Sequence, residues 1–541
     1  MFFVADTGGP DGRCTRAIRI TFVRLFLAAL ALGTAAAVPA SAQLAEAVRH
    51  DRAGAALGDS GRIDAALAEF REAIRIDPGF AEARFHLALA LERTGQLRAA
   101  VSEYELALDL KPELLEARYG LSSVCARIGD LDGAIALLRD VVDALPKLAE
   151  AHHNLGLNLW NRYKRSPGLR RHHDLDEARD ELKAATDLEP REPRFHAALG
   201  QLLADTEDLQ LAVAELRTAL SLAPSDPENA YNLGLALRLA GDLDAAESQF
   251  RIATRENSRH AAAHRALGLV LRQNGDYAGA AGALGRAVDA RPDDAQAHHL
   301  MATVLLKLDR TNEAVAQLRT AIGLDPNLSE AHVVLAQTLA RSGHADAARQ
   351  QQAEVERINA ENAAHGRTLV LLQTAAERLD KGDVEAAVAQ LREATALNPS
   401  FAEAHYQLGL ALERLTAEAA TAELAFRRVL QLNADHAAAH YHLGALLMRR
   451  DRLGATRELQ RALELEPGLV DAHRALARLA VDANDQRVVI GELRKVIIWT
   501  PRIADAHFDL AAALTAKGDA EAAAREMAIA RRLQEAPRPR R

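Results

Sequence analysis

Cysteine is almost absent, with two residues in 541, which excludes a disulfide framework and any zinc site built from cysteines. Aromatics are scarce as well. They make up 4% of a chain that is 49% apolar, so the apolar share is small and aliphatic, with long alanine-rich stretches. That composition suits closely packed helices and is poor material for β-sheets, which draw on β-branched and aromatic side chains. Neither sign of charge dominates: 66 Lys and Arg stand against 75 Asp and Glu, for a formal charge of −9. A chain-wide polyanion binder is thereby excluded, and nucleic acid is not expected as a partner. Enzyme signatures are missing too: there is no H-E-x-x-H, no G-x-S-x-G and no G-x-x-x-x-G-K-[ST].

The one long apolar run lies near the start. Arg13, Arg16, Arg19 and Arg24 precede an apolar stretch from Leu25 to Val38, followed by Pro39-Ala40-Ser41-Ala42-Gln43. A basic start, a short apolar core and an A-x-A-like end describe a secretory signal, predicted to be cut after Ala42. The run is shorter than the ~20 residues of a membrane span. The expected location is the periplasm or the exterior, with no stable membrane insertion after cleavage; the alternative is an uncleaved N-terminal anchor. Without residues 1–42, Cys125 is the single cysteine.

What is abundant is repetition. Pro78, Pro112 and Pro146 are 34 residues apart, as are Pro190 and Pro224, and Pro292 and Pro326; with Pro399, Pro467 and Pro501, ten of the seventeen prolines share one phase. Twelve residues before a phased proline stands an alanine, as at Ala66, Ala100, Ala212 and Ala280, with Val489 the one departure. Earlier in each unit lies a small residue such as Gly54, Ala88, Gly234 or Gly268. Seven residues after it a glycine often follows: Gly61, Gly95, Gly129, Gly241, Gly275, Gly343, Gly382 and Gly518. Apolar residues recur at helical spacing on both sides of that glycine, which permits a turn, and the proline stops the second helix. Each unit is a helix–turn–helix that cannot bury its apolar face alone; stacking buries it against the next.

Ala402-Glu-Ala-His-Tyr-Gln-Leu-Gly-Leu-Ala-Leu resembles the first helix of a tetratricopeptide repeat, and Asp64-Ala-Ala-Leu-Ala-Glu-Phe-Arg-Glu-Ala-Ile-Arg-Ile-Asp-Pro its second. Fourteen such units begin near 47, 81, 115, 149, 193, 227, 261, 295, 329, 368, 402, 437, 470 and 504. The resemblance implies an all-α, right-handed superhelical α-solenoid, with repeats 1–9 over 47–360 and repeats 10–14 over 368–535. Where the family has Trp, ten units carry His, among them His152, His264, His405, His440 and His507. These share one structural phase, so a packing role is expected. His260/His264 and His436/His440 lie one helical turn apart, but with no third ligand they define no metal site.

Three breaks interrupt the period: an insert in repeat 4, a lost proline and extra residues after repeat 9, and repeats 11 and 12, one residue long and one residue short respectively. Repeat 4 carries an insert, 161–173, reading NRYKRSPGLRRHH, whose excess is expected to fall in the inter-helix turn. Its bases Arg162, Lys164, Arg165, Arg170 and Arg171 are candidates for contact with an anionic partner. Residues 361–367 are expected to be an irregular junction, and the basic tail 536–541 is expected to fray.

In stacked arrays of this family the first helices line a concave face. By position, the resemblance places Phe85, Tyr119, Tyr231, Tyr406, Tyr441 and Phe508 in that groove, with cations eight residues after the same position: Arg93, Arg127, Lys307, Arg341, Arg414 and Arg449. Rings supply contact area and Arg recognises carboxylates, so an extended peptide with acidic groups is the expected ligand. The repeats leave no room for a catalytic domain. The expected function is an exported scaffold for protein–protein interaction, without cofactor or catalysis. The alternative is a regulatory or substrate-presenting subunit of an envelope enzyme complex, in polysaccharide or peptidoglycan handling, secretion or pilus assembly.

Overall fold

The computed structural model describes residues 42–165, 172–415, 418–501 and 503–535. The leader up to residue 41, Arg170 and Arg171 of the insert, and the tail 536–541 lie outside them. Among the described residues there are 27 helices and no strand. Twelve helices begin on the residue that the repeat phase marks, from Ala81, Leu115 and Ala149 to Ala437, Val470 and Ala504.

The local chemistry of each helix pair is uniform. The eight glycines of the inter-helix turn all have φ between +78° and +94°. Where the glycine is missing, Glu207, Asp309 and Asn484 hold the same left-handed turn at φ of 64°, 56° and 56°. Aspartates cap second helices, as Asp242 does by accepting from the amide of Ala245. His260 and His436 are caps as well: their Nδ1 atoms accept from Ala263 and Ala439 at 3.3 and 3.2 Å, which explains these linker histidines without a metal.

Close approach of the paired helices sets the core. Phased alanines such as Ala66, Ala212 and Ala280 are fully buried. A methyl group added at Gly234 would lie 2.6 Å from the Phe250 ring, and one at Gly268 would lie 2.5 Å from Leu284. The small residue of the first helix is therefore the floor on which the large residue of the second sits.

The phased histidines add a polar joint to this apolar frame. His152, His196, His473 and His507 each donate from Nε2 to the carbonyl of the phased proline before them, at 3.0–3.1 Å. Their Nδ1 atoms lie 2.5–2.6 Å from Glu181, Glu215, Glu492 and Glu526 on the second helix. With Nε2 donating to the carbonyl, one proton is shared between Nδ1 and the carboxyl group, so each joint is a short hydrogen bond that ties the ring to the second helix. In repeats 8 and 9 Gln317 and Gln351 take the carboxylate's place, at 2.6 and 2.8 Å. The histidines thus pack and also tie three backbone segments together.

The chain divides into two compact units, Met1–Thr94 and Gly95–Arg541. The division falls inside repeat 2, between its two helices Ala81–Arg93 and Leu97–Leu110. In the second unit Tyr104, the counterpart of Phe250, lies on Gly120 of repeat 3, where an added methyl would meet the ring at 2.6 Å.

Two irregular regions differ from the sequence expectation. Residues 361–367 are not an irregular junction but the middle of one 36-residue helix, Ala345–Asp380, about 54 Å long. Repeat 9 has lost its proline, and with it the stop signal between its second helix and the next repeat. In repeat 4 the extra residues lengthen both helices, Ala149–Arg165 and His172–Leu188, to 17 residues each rather than enlarging the turn alone.

Candidate functional site

Within the second unit, first helices of successive repeats approach one another, as Pro227–Leu239, Ala261–Gln273, Ala295–Lys307 and Ser329–Arg341 do in sequence. Their side chains form a continuous first-helix face. Each of the six aromatic candidates stands on a first helix. Tyr119 is buried, and its hydroxyl accepts a hydrogen bond from Asn154 at 2.6 Å. Tyr231 is half-buried against Phe250 and His260. Phe85, in the first unit, lies beside His86, and Phe508 is half-buried in repeat 14.

Tyr406 and Tyr441 are brought into one cluster. Tyr406 has its ring 4.7 Å from His436 and 6.0 Å from His442. The His442 ring lies 4.8 Å from Tyr441 and stacks on buried Phe426 at 5.1 Å. Its Nδ1 is 2.8 Å from Glu413. Burial raises both tyrosine pKa values above the phenol range; Glu403 and Glu413 push further on Tyr406, and Asp471 and Glu413 on Tyr441. Carboxylates thus outnumber cations around this pair, with Arg478 acting on Tyr441 in the opposite sense. His442 and Glu413 escaped the sequence reading, since neither occupies a position that recurs in every repeat. The only hint was a histidine directly after the phased aromatic, as in Phe85-His86 and Tyr441-His442.

All six cation positions are exposed, and two of them also reach main-chain carbonyls. Arg93 donates to the carbonyl of Gly58 at 3.2 Å, and Arg414 to that of Leu379 at 3.3 Å. Both satisfy carbonyls at or near the end of the preceding first helix, where a cation also meets the negative end of the helix dipole. Arg127, Lys307, Arg341 and Arg449 are exposed. In the insert, Arg162 is bound to Asp132 and Asp174 at 2.5 and 2.7 Å. Lys164 sits 3.6 Å over the Trp160 ring, and burial lowers its pKa. Arg165 reaches the carbonyl of Gly129 at 3.5 Å. Arg162 is half-buried in its ion pairs, whereas Lys164 and Arg165 make these contacts while remaining exposed.

Cys125 is buried, and burial pushes its thiol well above the usual range. No group of three or more His, Cys, Asp or Glu among the described residues is placed to hold a metal ion. No helix among them is long and apolar enough to cross a membrane.

Family models agree with this architecture. One described as TPR repeat matches residues 54–95 and 377–415; others described as Tetratricopeptide repeat match 95–149, 163–227, 231–295 and 299–363, and 271–322. The chain belongs to the tetratricopeptide repeat family. Proteins of this family generally mediate protein–protein interactions, and the fold is typically a non-catalytic scaffold. No curated protein sequence matches the chain. Among solved structures, MamA (41-end) from Desulfovibrio magneticus RS-1 is 23% identical, covering 31% of this chain and 94% of its own, with a TM-score of 0.30. PilF of Pseudomonas aeruginosa is 18% identical over 39% of this chain and 91% of its own, with a TM-score of 0.35. YrrB, described as a TPR protein with an unusual peptide-binding site, is 23% identical over 42% and 96%, with a TM-score of 0.25.

Proposed function

We propose that the chain is an exported, non-catalytic scaffold that holds an extended segment of a partner protein on its first-helix face. The observation that carries this reading is the Tyr406–Tyr441 cluster: two half-buried rings on adjacent first helices, joined through His442. Rigid aromatic rings offer contact area at low entropic cost. The carboxylates of Glu403, Glu413 and Asp471 favour a basic or hydrogen-bond-donating side chain at this point. Acidic side chains of the same segment belong at repeats 8 and 9, where Lys307 and Arg341 are exposed. Export rests on the basic, apolar and A-x-A-like segments before Gln43.

The test is capture from an envelope extract on immobilised protein. Joint replacement Tyr406→Ala and Tyr441→Ala should lose the partner while far-UV circular dichroism stays that of the parent. Equal capture would remove the site. For export, fractionated cells should yield a mature chain beginning at Gln43 outside the cytoplasm; a chain retained in the cytoplasm with its leader would contradict it.

A further inference from the structure

The second unit folds its late repeats back onto its early ones. The helix Gln486–Trp499 of repeat 13 packs on Leu97–Leu110 and Leu131–Ala144 of repeats 2 and 3. Trp499 donates from Nε1 to Glu105 at 3.2 Å, and Lys495 lies 3.7 Å from the other oxygen of that carboxylate. Arg494 donates to Asp109 at 3.2 Å. Across the same joint the amide of Gly468 donates to Asp130 at 2.8 Å, while the second oxygen of Asp130 caps the amide of Gly133 at 2.8 Å.

Two backbones meet here. A methyl group on Gly468 would lie 2.8 Å from the α-carbon of Gly133 and 3.1 Å from the Trp499 ring. Gly468 is not among the residues with positive φ, so its missing side chain serves the approach and not a turn. Glu105, Asp130 and Trp499 are all buried at the joint.

We infer that this joint is a proton-sensitive clasp, which acid closes and alkali loosens, and which sets the spacing between repeats 2–3 and repeats 12–13. The charges around it are unequal. Glu105 faces Lys495 and the His473–Glu492 pair. Asp130 faces Asp132, which shares Arg162 with Asp174. Glu466 faces Asp130 and Asp132. Burial pushes Asp130 up to about 6, against the two amides that favour its charge. Burial, then Asp130 and Asp132, push Glu466 up to about 7. Burial also raises Glu105, though Lys495, His473 and Trp499 pull the other way. Opening returns all three to water and to ordinary carboxylate values. The closed state therefore binds protons more readily, and falling pH favours it.

The chain has two tryptophans, so Trp160→Phe leaves Trp499 as sole reporter in the whole protein. Acrylamide quenching of Trp499 should be weak at pH 5.5 and rise at least about twofold by pH 8.5, as expected when carboxyls of raised pKa ionise. Gly468→Leu, in the same background, should give strong quenching at both pH values with helicity unchanged. If that variant loses helicity, Glu466→Gln decides: it should keep Trp499 more protected at pH 8.5 than the parent. A parent whose quenching is flat between the two pH values overturns the clasp. So does a folded Gly468→Leu as protected as its parent, or a Glu466→Gln that opens with pH as the parent does.

Discussion

Repeats 7 and 14 place a histidine on the same turn of the first helix, and the two rings titrate in opposite directions. In repeat 14, burial pulls His507 down, but the Glu526 carboxylate and the Pro501 carbonyl outweigh it and hold the ring above the usual imidazole range. In repeat 7 the residue of the second helix that matches Glu526 is Ala283, so no acid meets the ring. Burial lowers His264, the Ser258 carbonyl offsets only part of this, and Nδ1 has no partner. The apolar frame beneath is nevertheless preserved, with Ala263, Ala280 and Ala506 fully buried in both settings. Phase specifies the apolar frame; the polar joint is optional and tunes each repeat separately.

The largest expected effect strikes the frame, whichever joint stands on it. Leu284→Ala empties the space against Gly268 and should destabilise repeat 7 by about 2–5 kcal/mol, read by hydrogen exchange across residues 261–290. The next largest separates the joints. His507→Phe leaves the Pro501 carbonyl and Glu526 without their imidazole and should cost about 1–3 kcal/mol. His264→Phe orphans only the Ser258 carbonyl and should cost less than half of that. Equal costs would erase the comparison.

pH sharpens it further. A raised folded pKa means that the stability contributed by His507 is full below the unfolded value near 6.5 and is lost as pH rises through the folded one. The lowered value of His264 gives the reverse: repeat 7 loses stability as pH falls below about 6.5. Between pH 5.5 and 8, protection corrected for intrinsic exchange should fall in repeat 14 and rise in repeat 7. The smallest effect concerns the turn. Glu207 holds a left-handed turn that eight glycines hold elsewhere, so Glu207→Gly should stabilise repeat 5 by up to about 1 kcal/mol in the same assay.

Most of the fold was legible because a 34-residue period repeats its instructions. Proline marks the stop, glycine the turn, and a small residue the close approach, and twelve helix starts follow from them. Period alone speaks only of neighbours. It does not say that Tyr104 lies on Gly120, nor that Gly468 meets Asp130 from 338 positions away. The proline missing from repeat 9 was read as a junction, whereas its physical meaning is the absence of a stop, and the helix Ala345–Asp380 runs on. At the candidate site the tyrosines were visible by phase, but His442 and Glu413 were not, since they belong to particular repeats. Phase places Arg93 and Arg414 on the first-helix face, but it does not announce the carbonyls of Gly58 and Leu379 that they also reach.

The central claim is that a partner lies on the first-helix face. A photo-crosslinking residue placed in turn at Tyr406, Tyr441, Leu424 and Leu453 tests it directly; the first two stand on first helices, the last two on second helices, where they are 67% and 80% exposed. The account predicts partner crosslinks from Tyr406 and Tyr441 and none from Leu424 or Leu453. Crosslinks from the second-helix positions alone, or equally from all four, would contradict it.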